Sequence, residues 1–116
     1  HATHPNYPEK SDPTNQIVMG CGVALKSSAS QRYVSDSEAS AVVMALARKN
    51  DIKVQRQVNR SGMAGGQTLG PIASSYLPVR AVDMGIPILA MHSAMELGSA
   101  EDYSQLKALC SAVFEM

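Results

Sequence analysis

The sequence has no tryptophan, one phenylalanine and four tyrosines, so aromatic side chains make up 4% of its 116 residues. Stacking platforms for nucleobases or sugar rings are therefore not expected. Charge of one sign is missing too: ten Lys and Arg balance ten Asp and Glu. With no basic run, no nucleic-acid partner is expected. No apolar run approaches the roughly 18 residues of a membrane span, so no membrane partner is expected either. No signal-peptide pattern opens the chain. Cysteine is scarce. Cys21 and Cys110 have no metal-type spacing and read as reduced thiols of a cytoplasmic protein rather than as a disulfide.

What is present is ordinary globular material. The sequence is 45% hydrophobic, and its length suits one domain or part of one. It starts at His1, not Met, directly in a dense polar motif. The expectation is a processed product or a piece of a longer protein.

Residues 1–15 read as loop, because Pro5, Pro8 and Pro13 exclude a regular element. His1 and His4 are three apart. That spacing can bring two imidazoles to one metal or substrate group, and it equally suits a solvated loop. Ile17-Val18-Met19 and Gly22 to Lys26 read as one or two strands with a glycine break. Lys26 is either an exposed strand-end lysine or a cation aimed at an anionic group. Ser35-Asp36-Ser37-Glu38 has the form of a capping box. It starts a helix over residues 36–49 with Ala39, Val42, Val43 and Leu46 on one face. Ile52 to Val58 partly alternates and reads as a strand.

Asn59 to Pro71 is glycine-rich and carries Arg60, Gly65 and Gly66 between a strand and a helix. Its exposed amides suit a carboxylate or an oxyanion. It is not a phosphate-binding loop, since no Gly-Lys-Ser/Thr follows. Leu69, Ile72, Ala73 and Tyr76 form the face of the next helix, which Pro78 ends. Val79 to Met84 reads as a short strand. Gly85 to Glu96 is a strand-like apolar run that carries His92 to its far end. A histidine there is either a buried structural residue or a ligand held at the lip of a sheet. Ser99 then caps a last helix with Tyr103, Leu106, Leu109, Cys110, Val113 and Phe114 on its face.

The order is loop-β-α-β-α-β-β-α. Such alternation predicts an α/β fold with a mainly parallel sheet covered by three amphipathic helices. Strand ends carry the sites of these sheets, so Lys26, the Arg60–Gly66 loop and His92 are expected to converge on one edge.

Four motifs also stand in a telling order. They are His1-Ala2-Thr3-His4-Pro5-Asn6-Tyr7; Lys26 with Gln31-Arg32-Tyr33; Arg60 with Gly65-Gly66-Gln67-Thr68-Leu69-Gly70-Pro71-Ile72; and Val82-Asp83-Met84-Gly85-Ile86-Pro87 running into Ala90-Met91-His92-Ser93. Together they resemble the C-terminal part of the M18 aminopeptidases, most closely the aspartyl aminopeptidases, over essentially the whole chain. The resemblance implies that residues 1–116 are the C-terminal portion of a catalytic domain. Its fold would be a three-layer α/β/α zinc-peptidase-like sheet, present as a partial domain.

The implied parent is a cytoplasmic metallo-exopeptidase that removes N-terminal, acidic residues from peptide substrates and assembles as a homo-oligomer, often a dodecamer. It would use two zinc ions per site, other divalent metals being admissible, with a glutamate general base. By the resemblance, His92 matches a zinc ligand and Lys26 a pocket lysine suited to an acidic side chain. His1 and His4 match histidines with candidate pocket roles, and the loop of Arg60, Gly65 and Gly66 matches a segment that contacts substrate. The family's catalytic residues and its other ligands fall upstream of His1, so one metal ligand of the usual five is expected in this chain and no catalytic residue. Its required partner would be the N-terminal part of the same protein. Gly62 stands where aspartyl members commonly have aspartate, and Ala64 where many have proline. The isolated chain is expected to be inactive and to self-associate. Two other readings rest on the residues alone: a non-catalytic α/β module for assembly or binding, and anion binding at Gly65-Gly66.

Overall fold

Strand β1 (Val23–Ser27) is the centre of the sheet. It pairs in parallel with β2 (Val54–Val58), with Val23 opposite Val54 and Lys26 opposite Gln57. On its other side it pairs antiparallel with β3 (Asp83–Gly85), with Lys26 opposite Asp83. A separate antiparallel pair joins β4 (Ile88–Leu89) to β5 (Leu97–Gly98). This computed structural model describes residues 1–63, 65–67 and 69–116. Ala64 and Thr68, both in the glycine-rich stretch, lie outside the described residues.

Helices α1 (Ser37–Lys49) and α3 (Ala100–Phe114) cover one face of the sheet. Val23, Val43, Ala47 and Leu109 are buried together, with Ile52, Val54, Val82, Met84 and Leu106 packed around them. Burying a side chain as completely as Leu109 is worth about 2–3 kcal/mol. Helix α1 is long enough to act as the crossover between two parallel strands. Helix α2 (Leu69–Tyr76) is not laid on the sheet: Leu69, Ile72 and Tyr76 are exposed. With no second crossover, β3 enters antiparallel, and the sheet is mixed rather than mainly parallel. Two helices, not three, cover it among the described residues. The mixed α/β character of a partial domain is as expected.

The local signals explain the boundaries. Asp36 caps α1, its carboxylate accepting from the Ala39 N–H at 2.7 Å. The Ser35–Glu38 capping box is not formed, because the Ser35 hydroxyl accepts from the Asp83 N–H at 2.8 Å instead. The buried stripe of α1 is Ala39, Val43 and Ala47, while Val42 is exposed. Ser99 caps α3 as expected. Tyr103 and Phe114 of its expected apolar face are exposed. Asp102, fully buried in the first turn of α3, accepts from the Gly20 and Gly22 N–H groups, each at 2.7 Å.

Ile17 to Met19 is not a strand. The chain turns there, with the Cys21 N–H donating to the Val18 carbonyl, and Gly20 and Gly22 at φ +82° and +102°. A Cβ at Gly22 would also collide with the Lys53 backbone. The Gln55 side chain clamps this loop, accepting from Val18 N–H and donating to the Val18 and Gly22 carbonyls. The run from Val79 to Met84 reduces to β3, and the apolar run before His92 reduces to the two residues of β4. His92 therefore lies in the β4–β5 connection, exposed, not at the end of a buried strand. Strand β5 carries no alternation that a sequence pattern could show.

Candidate functional site

Strands β1 and β2 run parallel, so their C-terminal ends share one edge of the sheet. Side chains alternate along β1, which sends Val23 to the helices and Lys26 to the opposite face. Lys26 and its register partner Gln57 there line an open cavity of about 350 Å³. His1 enters this cavity from the N-terminal loop, Arg60, Gly65 and Gly66 from the loop after β2, and His92 from the β4–β5 connection. The expected convergence of Lys26, the Arg60–Gly66 loop and His92 is thus met in space. His4 is not among the lining residues. Its Nδ1 accepts from the Asn6 N–H, and its ring lies 5.0 Å from that of Tyr7, so it is spent on its own loop.

The cavity is rich in positive charge. Lys10, Lys26 and Arg60 line it against a single acid, Asp12. Asp12 is turned into its own loop, accepting from the Thr14 hydroxyl and from the Thr14 and Asn15 N–H groups. These bonds, the Thr14 hydroxyl first, hold its carboxyl below the usual range. Lys26 Nζ sits 4.4 Å from the centroid of the Tyr33 ring, a cation–π contact, and forms no ion pair among the described residues. Arg60 donates from Nη1 to the Glu9 carbonyl at 2.7 Å, which ties its loop to the wall opposite. At Gly65 a Cβ would stand 2.9 Å from the Tyr33 hydroxyl and would press into the Asn59 amide, so a larger residue would displace these two side chains. The arrangement can bind an anionic group and orient it beside an exposed imidazole.

Several contributors carry no sequence signal of their own. Tyr33 is the platform for Lys26, yet a buried tyrosine between turn residues reads as core. Gln57 is one polar residue of a strand, and only the register with Lys26 gives it a place.

A family model for the aminopeptidase I zinc metalloproteases (M18) matches residues 1–114. The chain belongs to the M18 family. Among M18 relatives, a probable M18 family aminopeptidase 2 of Clostridium novyi is 52% identical over 103 residues, covering 89% of this chain and 24% of that protein. A protein of the same description from Stutzerimonas stutzeri is 40% identical over 114 residues, covering 98% of this chain and 27% of its own length. The chain therefore spans about a quarter of the length of these curated relatives. Among solved structures, an Ape4–Nbr1 complex superposes with a TM-score of 0.94 at 32% identity, covering 98% of this chain and 22% of that one. The S. cerevisiae mApe1 dodecamer superposes with a TM-score of 0.82 at 28% identity, covering 99% and 25%. The fold of this chain is that of the M18 aminopeptidases.

A zinc metalloprotease family implies zinc, and His92 fits as one ligand: its imidazole is exposed and its residue lines the cavity. Among the described residues no group of three His, Cys, Asp or Glu is placed to hold a metal ion. Zinc sites take three or four protein ligands, so His92 by itself would not hold the ion.

Proposed function

We propose that this chain is the C-terminal portion of the catalytic domain of a zinc aminopeptidase, and that the whole enzyme removes N-terminal residues from peptides with a preference for acidic ones. The observation that carries the reading is the cavity at the strand ends, which gathers His92, Lys26 and Arg60 around one open space. His92 supplies one imidazole nitrogen to a site that holds two zinc ions. Bound zinc provides Lewis acidity toward the scissile carbonyl. Lys26, held on the Tyr33 ring, binds the substrate's side-chain carboxylate. Arg60 and the His1 side of the cavity close around the substrate's first residue, and Gly65 and Gly66 keep the wall thin enough to admit it. The general base and the remaining ligands belong to the N-terminal part of the same protein. The free thiols of Cys21 and Cys110 support a cytoplasmic enzyme. A homo-oligomer is supported by the dodecamer of the S. cerevisiae neighbour.

The test compares hydrolysis of aspartyl, glutamyl and leucyl 4-nitroanilides by the full-length enzyme. Lys26→Ala is expected to lower kcat/KM on the acidic substrates about 10- to 100-fold, the worth of a hydrogen bond to a charged group, and to leave the leucyl substrate nearly unchanged. Equal rates on all three would end the acidic preference. A full-length protein without chelator-sensitive peptidase activity would instead support a non-catalytic α/β module.

A further inference from the structure

We infer that Glu96 is a positioning residue for the imidazole of His92. The inference rests on the reading of His92 as a zinc ligand. Between β4 and β5 the chain turns tightly, with the Ser93 N–H donating to the Ala90 carbonyl. Two residues of that turn, Ala90 at φ +56° and His92 at φ +69°, are in the left-handed region that side-chain-bearing residues rarely adopt. Such a backbone persists only where its surroundings over-determine it. The Glu96 carboxylate is what does so at His92: its Oε1 accepts from the His92 N–H at 2.6 Å. A hydrogen bond to a charged acceptor is short and strong. The Ser93 hydroxyl adds a second tie, to the Met95 carbonyl.

The backbone angle at His92 sets the direction of its Cα–Cβ bond, and hence where the imidazole is carried. Relaxing that angle toward an ordinary value would swing the ring away from the cavity. Glu96 forms no ion pair with a Lys, Arg or His among the described residues, so its charge is free for this task. It is exposed, and it adds nothing to the buried cluster that holds the helices to the sheet. A carboxylate in this place serves the geometry of one residue.

The experiment measures zinc affinity of the full-length enzyme by competition with a chromophoric chelator, for the native protein and the variants Glu96→Ala, Glu96→Gln and His92→Ala. Thermal melts of the zinc-free forms are recorded alongside. Glu96→Ala is expected to weaken zinc binding about 10- to 100-fold, the usual effect of losing a group that orients a ligand, with the zinc-free melt unchanged. Glu96→Gln keeps an oxygen acceptor in the same place and is expected to restore most of the affinity. Native affinity in Glu96→Ala, with affinity lost in His92→Ala, would overturn the positioning role alone. Native affinity in His92→Ala would overturn the ligand reading itself. A lowered zinc-free melt in Glu96→Ala, with no rescue by Gln, would make Glu96 a structural staple and overturn the inference. Should Glu96→Ala fail to fold, Glu96→Asp withdraws the carboxylate from the His92 N–H while keeping the charge and carries the same comparison.

Discussion

At the scale of the residue, Asp102 shows how much a single buried carboxylate can hold. It accepts two backbone N–H groups of the Gly20–Gly22 turn and thereby fastens α3 to the start of β1. Replacing it by Ala strands both donors, and each unsatisfied buried group costs about 1–3 kcal/mol. Asp102→Ala is expected to lower stability by about 2–4 kcal/mol in urea unfolding, with Asp102→Asn falling between it and the native protein. Gly22→Ala is expected to be at least as harmful, since it meets both a positive φ and the Lys53 backbone. None of this is legible in the sequence. An acid in the first turn of a helix reads as a surface residue favoured by the helix dipole, and nothing marks two amides 82 and 80 residues away as its partners. Lys26 and Arg60 were legible because strand ends collect sites whatever the rest of the fold does; His92, which stands in the β4–β5 connection, was legible only through the order of motifs around it. His4 was not, because spacing along a loop does not say which way the loop turns.

At the scale of the element, helices could be read and strands only in part. The start of α1 was expected at residue 36 and the helix spans Ser37–Lys49, because its cap and stripe are local properties. Asp36→Ala is expected to cost about 1 kcal/mol of stability by removing the acceptor for the Ala39 N–H, whereas Ser35→Ala should disturb the Asp83 end of β3 instead. Strands depend on their neighbours. Ile17 to Met19 is as apolar as β1, yet it has no partner strand and folds as a turn. Helix α2 is the instructive case: its period was correct, but periodicity names an apolar face without naming what covers it. Leu69 and Tyr76 are each 82% exposed, so nothing among the described residues covers that face.

At the scale of the whole molecule, the surface is larger than a self-sufficient protein would show. It measures 7798 Å², where a monomer of 12.3 kDa is expected to show roughly 6,100 Å². The excess is of the order of a protein–protein interface, and exposed apolar side chains stand on α2 and at the end of α3. Purified alone, the 116-residue chain is expected to self-associate in sedimentation velocity. Leu69→Glu with Ile72→Glu should raise the fraction of monomer. The same isolated chain is expected to release no aspartate from an aspartyl substrate with zinc present; turnover by the pure chain would sink the view that it lacks a complete site. The cavity has one more consequence. Its walls come from segments spread along the sequence, from His1 to His92. A molecule that fills it therefore acts as a reversible fastener on the entire fold: at a hundred times its Kd it adds about 2.7 kcal/mol against global unfolding. Amide hydrogen exchange should slow together at Thr3 and Ser93 when an acidic amino acid occupies the full-length enzyme, two positions far apart in the sequence, reporting one bound guest.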